Sequence, residues 1–204
     1  MSATPRCIAR LLNATIASFN VRLPHDISDS HIGRAALDDP PIFFVKGLLS
    51  APVTEQGATT RRLYLPEGQW YDWWTAESID GGRWIERDVD RATMPIYARA
   101  GAIVPLDPVR QYTDQPVDAP TEVRVFPGAD GLVQWYDDDG VSMKYQRTGG
   151  TVLRVAWDDW RQQLQVKLAP DSAPLAHPKK LRVHVVGDTR TSDVTFVGDD
   201  LLIK

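Results

Sequence analysis

From residue 42 onward, apolar and polar positions alternate in short runs: IFFV (42–45), RRLYL (61–65), QWYDWW (69–74), RWIE (83–86), MPIYARA (94–100) and AIVPL (102–106). Gly57, Pro66, Gly68, Gly81, Gly82, Gly101 and Pro105 punctuate them. Short strands between turn residues, with no helical period among them, predict a β-sandwich or barrel and not a βαβ fold. The polar stretch that follows carries three prolines and no periodicity, as a linker does. A second series comes next: TEVRVF (121–126), LVQWYD (132–137), VSMKYQ (141–146), TVLRVAW (151–157), RQQLQVKLA (161–169), KLRVHVV (180–186) and DVTFV (193–197). Asp139-Gly140 predicts a two-residue hairpin loop, because both central positions need positive φ. Asp158-Asp159 offers another turn.

The expected fold class is therefore all-β: two antiparallel β-sandwich domains in tandem, after a short helical or disordered N-terminal segment. The expected boundaries are 1–40 for that segment, 41–108 for the first domain, 109–120 for the linker and 121–204 for the second domain. Near the start, Ile8, Leu11, Leu12, Ile16 and Phe19 recur at helical spacing. Arg6, Arg10 and Arg22 with no acid in the first 25 residues resemble a mitochondrial presequence. An ordinary amphipathic helix or a loose tail is the preferred reading.

Composition narrows the function classes. A net charge of −4 gives no electrostatic reason to expect nucleic acid. No apolar run approaches the roughly 20 residues that cross a bilayer. Cys7 is the single cysteine, which excludes an internal disulfide and a cysteine-cluster metal site. Together with the lack of a secretory signal, it favours a cytoplasmic setting. His25, His31, His177 and His184 stand at no metal-ligand spacing, and there is no nucleophile elbow, phosphate loop or dinucleotide fingerprint. No metal and no cofactor are expected. Asp137-Asp138-Asp139 neither alternates its acids nor ends in the glutamate of a calcium loop. A solvated turn is preferred, and a convex hairpin tip cannot hold two carboxylates across a cleft.

The stretch APVTEQGATTRRLYLPEGQWYDWWTAESIDGGRWIE, followed by MPIYARAGAIVPL, resembles the region just after the catalytic barrel in glycoside hydrolase family 31, the family of α-glucosidases and α-xylosidases. RVFPGADGLVQWYDDDGVSMKYQ resembles that family's distal C-terminal β domain. The resemblance covers roughly residues 42–170, while residues 1–40 match nothing recognisable in the family. It implies the proximal and distal C-terminal β domains of a retaining glycosidase. The family's two catalytic aspartates stand on a (β/α)₈ barrel, which takes about 250 residues, more than this whole chain. No catalytic residue is therefore expected here. The resemblance also implies that Arg99 and Gly101, in a turn, and Asp137, Asp139 and Gly140, in a hairpin, are structural motif residues.

WYDWW puts aromatics on both faces of a predicted strand, with Trp70, Asp72 and Trp74 on one side and Tyr71 and Trp73 on the other. A strand covered on both sides, one by the sandwich core and one near the barrel, is the preferred reading. The alternative is a sugar-stacking platform of Trp70, Trp73, Trp74 and Trp84. Three functions compete: a non-catalytic module inactive alone, a stand-alone carbohydrate-binding module with an α-glucan ligand, and an interaction subunit docking in trans on a separate family 31 barrel. The first is preferred. Residues 41–53, parts of WYDWW and MPIYARAGAIVPL are expected to expose apolar surface and to favour self-association.

Overall fold

The computed structural model describes residues 43–45, 47–112, 115, 117–137 and 150–204. The helical pattern of Ile8–Phe19, the Asp139-Gly140 loop and the 141–146 strand lie outside them. Among the described residues the protein is all-β, with no helix.

The first half forms β1 (Phe43–Val45), β2 (Leu48–Ser50), β3 (Thr60–Leu65), β4 (Gln69–Asp72), β5 (Ser78–Asp80), β6 (Arg83–Asp88), β7 (Ile96–Arg99) and β8 (Ile103–Leu106). The second forms β9 (Thr121–Val125), β10 (Gly131–Asp137), β11 (Thr151–Asp158), β12 (Gln163–Leu168), β13 (Lys179–Val185), β14 (Thr191–Phe196) and β15 (Leu201–Ile203). They make four sheets with strand orders β1-β2-β7-β4-β5, β3-β6, β14-β13-β9-β8 and β10-β11-β12-β15.

Period-two burial explains how these sheets stack. In β3 Arg61, Leu63 and Leu65 are buried and alternate with more exposed neighbours. Leu63 and Leu65 pack with Leu49, Trp70 and Tyr97 into a core between the two-stranded and the five-stranded sheets. The opposite face of the five-stranded sheet supplies Tyr71, Ile96 and Ala98 to a second core, which Val104, Phe126 and Val186 complete. A third core lies between the last two sheets, around Val125, Trp135, Leu153, Trp157, Leu181 and Phe196.

Two features depart from simple expectation. β9 and β13 pair in parallel, the one parallel pair among the described strands. The chain leaves β9 for the neighbouring sheet, runs three strands there, each antiparallel to the one before, and returns; with three strands intervening, β13 comes back in β9's direction. The second feature is β8, which pairs with β9 although the polar stretch separates them. Its alternate residues serve two cores, Ile103 the third and Val104 the second.

Candidate functional site

The predicted strand over QWYDWW stops at Asp72, because the Asp72 side chain builds a turn. Its Oδ1 accepts the backbone N–H groups of Trp74 at 2.8 Å and Thr75 at 3.0 Å. The Ala76 N–H closes on the Asp72 carbonyl at 2.8 Å. An aspartate bonding amides two and three residues ahead is a common way to end a strand. Its other oxygen, Oδ2, lies 3.2 Å from Arg87 Nε, so the buried carboxylate is paired as well as capped.

The four candidate tryptophans therefore separate. Trp70 is 0% exposed and its indole N–H donates to the Pro66 carbonyl at 2.8 Å. Trp73 is buried on the opposite side, 5.8 Å from the Phe126 ring, with the Arg124 guanidinium 4.6 Å from its centroid. Tyr71 meets the same phenylalanine at 5.7 Å. Trp74 sits in the turn, 39% exposed, and its indole N–H donates to the Met94 carbonyl at 2.8 Å. Trp84 stands elsewhere, on the outer face of the two-stranded sheet and 43% exposed. No shared aromatic plane joins the four. The Tyr71 and Trp73 side of WYDWW is covered by Phe126 from the second half of the chain.

The segments expected to expose apolar surface are largely internal. Leu49, Ala51, Ile96, Tyr97, Ala98, Ala102, Ile103 and Val104 are all buried. Two exposed aromatics that sequence patterning does not single out are Tyr112, in the polar stretch, and Trp160, 87% exposed on the β11–β12 turn.

Arg99 and Gly101 do form a turn. The Arg99 backbone N–H donates to the Gly47 carbonyl at 2.7 Å, and the Gly101 N–H donates to the Phe126 carbonyl at 2.7 Å. Gly101 has φ +82°, and a Cβ there would stand 2.6 Å from the Asp130 carbonyl oxygen. A Cβ on Gly131 would be 2.0 Å from the Gly101 carbonyl oxygen. Two backbones thus touch where the halves of the chain meet, and only glycine permits it. Asp159 organises the same corner: its Oδ1 accepts from the Gly128 N–H at 2.8 Å and the Trp157 indole at 2.9 Å. Sequence marked Asp159 only as a turn residue; no local pattern reveals a bond to Gly128. Asp137 pairs with Lys179 at 2.6 Å, and that ammonium lies 4.2 Å from the Trp135 centroid. Asp139 and Gly140 lie outside the described residues.

Electrostatics in the first core centre on Tyr97. Burial, and then the nearby Asp72 carboxylate, push its phenol up to about 12. Its hydroxyl is buried and makes no hydrogen bond among the described residues. A buried polar atom without a partner costs about 1–3 kcal/mol. Tyr97→Phe is thus expected to hold or raise stability at neutral pH, by up to about 1 kcal/mol. The folded state keeps this phenol protonated after the unfolded chain begins to ionise near the ordinary phenol value of 10.0. Stability should then fall between those two values, by up to about 1.4 kcal/mol per pH unit for one group. Urea midpoints measured across that range should fall less steeply in Tyr97→Phe. Some slope should remain, because burial and Asp159 also raise the Tyr71 phenol.

Acids with resolved shifts move the other way. Hydrogen bonds hold Asp90, Asp158, Asp188 and Asp193 below the usual carboxylate range. Asp188, bonded by the Arg190 side chain, falls to about 2. A general acid for glycoside cleavage needs the opposite shift. Among the described residues, no group of three or more histidine, cysteine, aspartate or glutamate side chains could hold a metal.

The outer face of β3 and β6 gathers Arg62, Tyr64, Trp84 and Glu86. Tyr64 stands directly across from Trp84, and Arg62 across from Glu86. The aromatic rings meet edge-on at 5.6 Å and 62°. Alternation in RRLYL and RWIE is the signal that could have joined Arg62, Tyr64 and Glu86 to Trp84.

Residues 23–104 match the profile described as the Glycosyl hydrolase family 31 C-terminal domain. The match reaches into the 1–40 segment that the sequence motifs left unplaced. An alpha-xylosidase of Saccharolobus solfataricus is 32% identical over 134 residues, 63% of this chain and 18% of that enzyme. A 1,6-alpha-glucosyltransferase of Sporosarcina globispora is 37% identical over 103 residues, 48% of this chain and 8% of its own length. The crystal structure of a GH31 alpha-xylosidase from Xanthomonas citri superposes with a TM-score of 0.71 at 31% identity, covering 79% of this chain and 19% of that one. The chain thus spans less than one-fifth of the length of each of these relatives.

Proposed function

We propose that this chain, which belongs to glycosyl hydrolase family 31 through that family's C-terminal domain, is a non-catalytic β module of a glycosidase that hydrolyses α-glucosidic or α-xylosidic bonds. The observation that carries this reading is the profile match to the C-terminal domain at residues 23–104. Partial coverage of long relatives points the same way. Function resides in a site and not in a fold. Retaining hydrolysis needs two carboxyl groups about 5 Å apart across the sugar, one of them holding its proton at neutral pH. The most buried described aspartate, Asp72, is committed to Arg87 and to its turn. Asp137 is committed to Lys179.

The purified chain is expected to release no product above background from maltose, aryl α-glucosides or aryl α-xylosides. Turnover that follows the protein through purification, and disappears in Asp137→Ala or Asp139→Ala, would overturn the reading. Relatives named as a xylosidase and a glucosyltransferase share this module. The bond acted on is therefore set by the catalytic domain the module accompanies. The partner proposed is such a barrel, either in the same protein or in trans.

A further inference from the structure

Arg62 and Glu86 face each other across β3 and β6, where opposite charges ordinarily pair. They do not pair here. The Arg62 guanidinium lies 4.7 Å from the Trp84 ring centroid instead, and Glu86 has no ion-pair partner among the described residues. Beside them the 53–58 loop rises next to the sheet and encloses a hollow lined by Thr54, Glu55, Thr60, Arg62 and Glu86. A partly exposed indole thus stands next to a concave group of carboxylates, hydroxyls and a guanidinium with unused hydrogen-bonding capacity.

This arrangement matches the two-sided chemistry of a pyranose ring. Its C–H face packs on an aromatic plane, and its hydroxyl edge takes charged donors and acceptors. Arg61 and Arg62 balance Glu55 and Glu86 around the hollow, so neither an anion nor a cation is favoured over a neutral ligand. An apolar protein surface would find only Val53 and Ala58 in the hollow. We propose that this face is a non-catalytic binding site for a neutral α-linked glucan, with one ring at Trp84 beside Arg62 and the next ring in the hollow, its hydroxyls held by Glu86 and Thr60. The choice of an α-linked glucan rests on the glycosidase-module reading above.

Affinity electrophoresis of the 204-residue chain through gels containing soluble starch, dextran or xyloglucan tests it. Retardation is expected in starch or dextran. Trp84→Ala should abolish it while the variant keeps the wild-type circular dichroism spectrum and a cooperative urea transition. Glu86→Gln, which keeps the shape, should weaken binding about fivefold, and Trp160→Ala should leave it intact. Migration unaffected by every polysaccharide would overturn the proposal, as would retardation that survives Trp84→Ala. Retardation by xyloglucan alone would overturn the glucan assignment. If the wild type is not retarded and Trp84→Ala changes its mass by light scattering, the face is a protein contact and the proposal is wrong. Failure to bind without any hydrolysis would sink this inference alone, whereas hydrolysis would sink the module reading.

Discussion

Trp70→Ala is expected to destabilise the protein by about 3–5 kcal/mol, the range for removing a large aromatic from a close-packed core. Trp70 is fully buried between two sheets, with Leu63 and Leu65 on the facing strand. Truncation would also leave the Pro66 carbonyl without the indole N–H that it accepts. Domains typically have only about 5–15 kcal/mol of net stability, so this single change should remove a large share of it. Urea denaturation followed by circular dichroism would measure the effect. A midpoint unchanged within error would mean that the first core is not packed as described. Trp74→Ala, beside it in sequence but partly exposed, should cost much less.

Phe126→Ala should have a comparable effect, about 3–5 kcal/mol, and should be felt throughout the chain. Phe126 comes from the second half, yet its ring fills the core that Tyr71 and Trp73 present from the first. Its backbone bonds Gly101 and Ala102 at 2.7 Å and 2.9 Å. Residues 41–108 and 121–204, which also share a sheet through the pairing of β8 with β9, are therefore expected to unfold together. Wild-type calorimetry should show one transition, and Phe126→Ala should shift the whole of it. Two separable transitions, with only one displaced by the substitution, would show that the halves are thermodynamically independent.

The all-β class was legible because period-two alternation and turn residues act locally, as in RRLYL and TVLRVAW. β2, β5 and β15 were not legible: each is three residues long, too short for alternation to register. QWYDWW was overextended because nothing in its hydrophobic pattern says that the Asp72 side chain will bond amides ahead of it. The faces of Trp70, Tyr71 and Trp73 were nevertheless correct, since side-chain parity persists into the turn. What could not be read was which body covers the Tyr71 face. That depends on the pairing of β8 with β9 across the polar stretch, a long-range choice with no local signature.

The parallel pairing of β9 with β13 carries a consequence for the order of events during synthesis. Thr121 cannot meet Leu181 until β10, β11 and β12 between them have been made. Hairpins such as β4 with β5 need only local closure. Non-local pairings slow folding because loop entropy is lost before contacts form. Until β13 arrives, the edge of β9 stays open and the future Phe126 core is incomplete. Such an edge is open to pairing with other chains. The growing polypeptide should thus be most prone to aggregate in the interval between the emergence of β9 and that of β13.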